Sequence, residues 1–165
     1  MSMAEISEEA YEGEVIPPKL AIKAMRDSGY KNTAYALAEL VDNSVQANAD
    51  QVKVFCVEEF EQLERRRRRR ISEIAVLDNG DGMSSEVLRL ALQFGNGTHL
   101  GDRNGIGRFG MGLPNASISQ CRRVDVWTWQ AGPDNALYTY LDVGAVENGY
   151  LRQVPTPSAE PLPQR

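Results

Sequence analysis

Ala38-Glu39-Leu40-Val41-Asp42-Asn43-Ser44, written AELVDNS, lies inside a run from Asn32 to Ala49 whose spacing predicts a helix. At about 100° per residue, Ala34, Leu37, Ala38, Val41 and Val45 form one apolar stripe, and Glu39, Asn43 and Gln46 fall on the opposite side. Two carboxylates and an amide crowd five positions where Lys and Glu pairs would serve solubility better. Glu39 and Asn43 are one turn apart, so their side chains are neighbours. On the residues alone two readings stand. One is a solvated polar face, the simpler of the two. The other is a site facing a cleft, where a carboxylate takes a proton from water and an amide oxygen ligates Mg2+, a hard cation that prefers oxygen.

Two further stretches bear on the choice. Residues 73 to 83, EIAVLDNGDGM, read as a strand that delivers Asp78 at its end, followed by glycines. Asn-Gly and Asp-Gly are strong hairpin signals. The next element, however, reads as a helix capped by Ser84 and running to about Phe94, with Glu86 in its first turn. A carboxylate at a strand end, with glycines that let a flat ring approach, suits recognition of a base amino group. The third stretch is GIGRFGMGLPNAS, residues 105 to 117. Glycines abutting a helix start offer free N–H groups and the helix dipole to an anion. Gly105 to Gly110 also match GxGxxG, with Asp125 twenty residues past Gly105. The dinucleotide fingerprint needs a strand directly before its first glycine, and Thr98 to Asn104 are polar, so that motif is rejected. No glycine-rich stretch ends in Gly-Lys-Ser or Gly-Lys-Thr, which excludes a P-loop.

AELVDNSVQA, then LDNGDGM, then a loop closing with GRFGMG resembles, in order and spacing, the gyrase, heat-shock chaperone, histidine kinase and MutL (GHKL) ATPase superfamily. The resemblance spans roughly residues 20 to 154. The first motif is most similar to the microrchidia proteins, and IGRFGMGL is similar to the ninety-kilodalton heat-shock chaperones. The resemblance implies an α+β Bergerat fold: a two-layer sandwich with a mixed, mostly antiparallel sheet, helices on one face, and ATP between the helices and a lid loop. By position it makes Glu39 the general base that activates water and Asn43 the Mg2+ ligand that also touches phosphates. Asp78 then bonds the adenine amino group, with Gly82 and Met83 lining the base pocket. Gly107, Arg108, Gly110 and Gly112 belong to the phosphate-binding end of the lid. Phe109, Met111 and Leu113 alternate there between packing and backbone contact. The superfamily's polar residue beyond the third motif has three candidates, Thr128, Thr139 and Thr156.

The resemblance therefore implies a Mg-ATP binding and hydrolysing module of a dimerising clamp, with an N-terminal arm exchanged between protomers. The alternatives are a non-hydrolysing ATP sensor and a histidine-kinase-type catalytic domain. Kinase domains of this type generally lack a carboxylate four residues before the Asn, and the one histidine here, His99, reads as a lid-like loop residue. Hydrolytic members also need a Lys or Arg from a second domain at the γ-phosphate. Nothing after Tyr150 is long enough to be that domain, so turnover by this chain alone is expected to be weak or absent.

The rest of the chain frames these motifs. Residues 1 to 18 are acidic and read as an arm, residues 19 to 154 as the ATP-binding domain, and residues 155 to 165 as a proline-rich linker or tail. Leu20 to Asp27 reads as a short helix, and Ala34 to Asn48 as a longer one capped by Asn32 or Thr33. Strands are expected at Gln51 to Val57, Ile71 to Leu77, Val124 to Gln130, Ala136 to Val143 and Tyr150 to Val154. Pro114 suits the first turn of a helix ending near Gln120. Between the first two strands, Glu58 to Arg70 is a charge block that ends in six arginines, Arg65 to Arg70. It reads as a solvated, partly self-neutralised loop, or as a helical extension pairing Glu61 with Arg65 and Glu64 with Arg68. A phosphate-contacting patch for DNA or RNA is the alternative. Net charge is -5, which argues weakly against nucleic-acid binding by the surface as a whole. Cys56 and Cys121 fit no metal spacing and read as small buried residues of a reducing compartment. There is no apolar run of membrane length, and a cytoplasmic or nucleoid-associated protein is expected.

Overall fold

The computed structural model describes residues 18–27, 29–64, 66–94 and 112–163. Helix α1 is Pro18–Asp27 and α2 is Thr33–Gln46. Asn32 begins α2: its backbone is extended and its side-chain oxygen accepts the Tyr35 N–H at 3.1 Å, one of the donors a helix start leaves unpaired. The helix ends two residues before Asn48, which adopts φ 62°, a left-handed conformation that Asn tolerates better than most residues. Two long strands follow, β1 at Val52–Leu63 and β2 at Arg66–Asp78. Ser84 caps α3, Ser85–Ala91, by accepting the Val87 N–H. Helix α4 is Gly112–Gln120, with Pro114 in its first turn, where the missing N–H costs nothing. Strands β3, Arg123–Thr128, and β4, Leu137–Asp142, are joined through a 3-10 turn at Pro133–Asn135. The short helix α5, Val143–Glu147, and the edge strand β5, Ser158–Ala159, complete the order.

All described ladders are antiparallel. β1 and β2 form one two-stranded sheet, and β3, β4 and β5 form a second in that order. Alternation along β3 and β4 decides the core. Val124, Val126, Leu141 and Thr139 share one face, and Arg123, Asp125, Trp127, Tyr138 and Tyr140 share the other. Helices cover the first face: Ile22 and Met25 of α1 and Leu113 and Ile118 of α4 pack with Leu92, Leu141, Val143 and Val154. The result is the α+β class with helices over an antiparallel sheet. The second face is a ladder of charge and rings, in which Arg123 bonds Asp125 at 3.0 Å and lies over the Tyr140 ring at 4.2 Å.

Several expectations are corrected. The charge block is neither loop nor helix. Glu58 to Leu63 continue β1 and Arg66 to Arg70 open β2, and only Glu64 and Arg65 lie between the paired residues Leu63 and Arg66. Strand register replaces the helical pairs with Arg69–Glu58 at 3.3 Å and Arg70–Glu61 at 3.8 Å. Cross-strand partners, not residues one helical turn apart, are the neighbours here. Tyr150 to Val154 form no strand: the Tyr150 and Leu151 N–H groups bond the Ala145 carbonyl as the chain leaves α5. Residues 155–163 run beside β4, with Thr139 donating to the Pro155 carbonyl at 2.8 Å and Ser158–Ala159 pairing with it. Cys56 is exposed, not buried, with no layer over it among the described residues, while Cys121 is half-buried. On α2 the buried positions are Ala36 and Ser44, whereas Ala34, Ala38 and Val45 of the expected apolar stripe are exposed. No described helix is long and apolar enough to cross a membrane.

Candidate active site

The tilt of α2 is what builds the site: Glu39 and Asn43 are half-buried, Gln46 on the same side is exposed, and Glu39 meets α4. Thr33 at the start of α2 donates to Gln120 at the end of α4 at 2.8 Å, while Glu39 lies against Gly112 at the start of α4. The two helices therefore run antiparallel. A Cβ at position 112 would strike Glu39 Oε1, so the glycine is what lets the carboxylate reach the start of α4. Glu39 is half-buried and acts on the Tyr30 phenol. Burial first, and then Glu39, push the Tyr30 phenol up to about 12, so it is a proton donor at neutral pH.

Asn43 follows one turn later. Its Nδ2 is buried and has no partner among the described residues. An unanswered buried amide beside a carboxylate is costly unless something else meets it. Turning the amide by 180° would present its oxygen instead. With Glu39 this is an oxygen donor set, of the kind Mg2+ takes, and no group of three or more His, Cys, Asp or Glu side chains stands ready for a metal among the described residues. Few protein ligands suit Mg2+, which keeps waters and substrate phosphates in its shell.

Ser44, next to Asn43, connects this corner to Asp78. Ser44 is 4% exposed, and its Oγ lies 3.0 Å from the Leu40 carbonyl and 3.1 Å from Asp78 Oδ2, with one proton between them. Asp78 Oδ1 accepts the Gly80 N–H at 2.9 Å. Both carboxylate oxygens are thus held, and the side chain has a fixed direction at the end of β2. The turn that follows docks on the end of α2. The Asp81 N–H bonds the Ala47 carbonyl at 2.8 Å, and a Cβ at Gly80 would lie 2.6 Å from that same oxygen. Gly82 has φ +68° and passes against the Trp129 backbone, where a side chain would collide. The Met83 N–H donates to Thr128 Oγ1 at 2.8 Å.

Glu39 and Gly112 are therefore gathered at one end of the site and Asp78, Gly82 and Met83 at the other, with Asn43 between them on α2. Leu113 packs into the hydrophobic core. Gly107, Arg108, Phe109, Gly110 and Met111 lie outside the described residues, as do His99 and the lid reading. Among the three threonine candidates, Thr128 is the one beside the LDNGDGM motif. It is 5% exposed, while Thr139 bonds Pro155 and Thr156 is exposed. Ser44 and Tyr30 were not singled out in the sequence. Ser44 was legible as the last letter of AELVDNS, whereas nothing local marks Tyr30, nine residues before Glu39.

Comparison with curated proteins returned no match. A family model described as "Histidine kinase-, DNA gyrase B-, and HSP90-like ATPase" matches residues 30–164, most of the chain and all three motifs. Together with the helix-over-sheet architecture, this match shows that the chain belongs to the histidine kinase-, DNA gyrase B- and HSP90-like ATPase family, a family of ATP-binding domains.

Proposed function

We propose that this domain binds Mg-ATP and hydrolyses it as the engine of a nucleotide-gated, dimerising clamp. The observation that carries the reading is the direction of α2: Glu39 meets the start of α4, the Asn43 amide is buried one turn on, and Ser44 on the same helix holds Asp78. Asp78 accepts a hydrogen bond from the adenine amino group, with Gly82 and Met83 beside the base. Thr128 fixes the Met83 backbone, and so the shape of that wall. Asn43 would hold Mg2+, whose charge would offset that of the phosphates. Gly107 to Gly112 close over the phosphates, with Arg108 adding positive charge. Glu39 takes a proton from water as its oxygen attacks the γ-phosphorus; the bond to the β–γ bridging oxygen breaks, and ADP leaves with that electron pair. Closure of the lid favours dimerisation and hydrolysis reverses it. Within the family, the likeness of AELVDNS to the microrchidia proteins supports that branch, and IGRFGMGL adds likeness to the ninety-kilodalton chaperones. A cytoplasmic location suits the composition. Arg65 to Arg70, of which Arg66 to Arg70 open the exposed strand β2, are the residues best suited to nucleic-acid phosphates.

Calorimetric titration of ATP and ADP with Mg2+ into wild type, Asp78→Asn and Glu39→Gln tests this. Wild type should bind, Asp78→Asn should lose binding, and Glu39→Gln should bind normally while single-turnover hydrolysis falls by about 10²- to 10⁴-fold. Equal turnover in Glu39→Gln would remove the catalytic assignment, and undiminished binding by Asp78→Asn would remove the adenine contact.

A further inference from the structure

The ribbon of β1 and β2 carries apolar side chains that no described element covers. Seven of the twelve large hydrophobic side chains exposed among the described residues lie on it. Monomeric proteins seldom gather so much apolar surface in one place, and a two-stranded ribbon without a layer is marginal in water. Register sorts its residues into two faces. Glu58, Phe60, Arg67 and Arg69 share one: the Phe60 ring meets both arginines, and Glu58 pairs with Arg69. Toward its base that face carries Asp78, which meets α2 through Ser44. The other face is open along its length. At its base lie Phe55, Val57, Ala75 and Leu77, all exposed. On its outer half Glu59 and Glu61 form a row on β1, and Arg66, Arg68 and Arg70 form a row on β2. Arg70 pairs with Glu61 at 3.8 Å, whereas Arg66 and Arg68 have no partner among the described residues.

We propose that a second copy of the chain covers this open face, ribbon on ribbon, about a two-fold axis that runs along the strands. The pattern on the face selects that occupant. A nucleic acid would meet Glu59 and Glu61 beside the arginines and would leave the apolar base bare. A purely acidic or purely basic protein surface would be repelled by one of the two rows. A surface that complements the face needs an apolar patch, an acidic row and a basic row, and the ribbon itself has all three. Two kinds of two-fold axis lay one such face on another. An axis across the strands turns the ribbon end for end and sets the charged outer half of each copy on the apolar base of the other. An axis along the strands keeps both ribbons pointing the same way and puts β1 of each copy over β2 of the other. Apolar base then lies on apolar base, and the glutamate row of each copy lies over the arginine row of the other. The ribbon is only two strands wide, so these charges keep one side in water and escape most of the cost of a buried pair. The contact needs no nucleotide and stands apart from ATP-driven closure, and it leaves the face of Phe60, Arg67 and Arg69 free.

The test is sedimentation of the full chain without nucleotide, over a range of concentration and salt. Wild type should form a reversible dimer that weakens as salt rises. Phe55→Ser, on the covered face, should weaken the dimer by at least about tenfold, and Phe60→Ser, on the opposite face, should change it by no more than about twofold. Two charge reversals ask which rows meet. Glu59→Arg with Glu61→Arg makes both rows basic, and Arg66→Glu with Arg68→Glu and Arg70→Glu makes both acidic. Each should be monomeric alone, and the two mixed should form a one-to-one dimer, because every acidic row then faces a basic one. Circular dichroism shows whether each variant is folded, and the Phe55 and Phe60 variants decide the matter if a reversal is not. A wild type that stays monomeric, with or without a DNA oligonucleotide bound to it, overturns the proposal. So does a Phe55→Ser that dimerises as well as wild type, or a pair of folded reversals that stay apart when mixed. Because no nucleotide is present, a failure of ATP binding or turnover would leave the ribbon contact standing, and loss of the ribbon contact would leave the ATPase reading standing.

Discussion

The helix-covered sheet and the long hairpin are both antiparallel, yet they use strands in opposite ways. In β3 and β4 one face is closed by α1, α4 and the segment after α3, and Leu92, Ile118 and Val143 are fully buried. In β1 and β2 Val54, Phe55, Phe60 and Ile71 remain exposed, from both faces of the ribbon. The outer half is braced from within: Arg67 and Arg69 lie 4.6 and 5.7 Å from the Phe60 ring centre, and Ser72, at the bulge after Val57, donates to the Val57 carbonyl. Burial stabilises the first region. The second is held by its own ladder and exposed charge pairs, which contribute little. A two-stranded ribbon with no layer on it is marginal alone. Its persistence at twelve and thirteen residues depends on being anchored at Val52 and Asp78, beside the site.

Breaking the covered region should cost most. Ile118→Ala removes a fully buried side chain between the sheet and α1 and should destabilise the domain by about 2 to 5 kcal/mol in urea unfolding. A loss below about 1 kcal/mol would mean that the helix layer is not the stabilising one. Gly112→Ala should come next. Its methyl meets Glu39 Oε1, so α4 or the carboxylate must move, at a cost of about 1 to 3 kcal/mol and with loss of turnover. Wild-type stability and rate in that variant would show that Glu39 has room to spare.

On the hairpin the expected effects are smaller and of another kind. Phe60→Ala deletes a ring that is 60% exposed and should change stability by no more than about 1 kcal/mol, leaving ATP affinity unchanged. A loss as large as that of Ile118→Ala would overturn the contrast between the two regions. Replacing Arg65 to Arg70 with serines should abolish any nucleic-acid binding and spare ATP binding, and affinity in wild type should fall steeply with salt. Retained nucleic-acid affinity in the variant would take that role away from the ribbon. The smallest effect is alkaline. Tyr30 titrates at about 12 when folded and near 10 when unfolded. Between those values the folded state keeps a proton that the unfolded state has released, so stability is complete below about pH 10 and falls as pH rises through 12. Tyr30→Phe should flatten that fall in denaturation midpoints measured across the window.

The amino-acid sequence by itself determined the family and most of the elements. AELVDNS, LDNGDGM and GRFGMG named Glu39, Asn43 and Asp78, and the caps at Asn32 and Ser84 are where local rules put them. These are short-range features, legible because a capping oxygen or a residue one turn away acts within a few positions. Tertiary structure decided what no window could show. Periodicity on α2 found an apolar stripe and left open which way Glu39 and Asn43 point; in the fold Ala34, Ala38 and Val45 are exposed, while Ala36 and Ser44 are buried and Glu39 and Asn43 half-buried. Hydrophobic patterning ranks faces by composition, but a helix in a binding site is oriented by what it must hold, here Gly112 and Asp78. Composition likewise could not tell a solvated loop from a ribbon in Glu58 to Arg70. Cross-strand pairing with a distant partner sets that outcome, and it depends on register rather than on local propensity. Tyr30 became a neighbour of Glu39 only through α4, ninety residues along the chain from Tyr30 to Gln120.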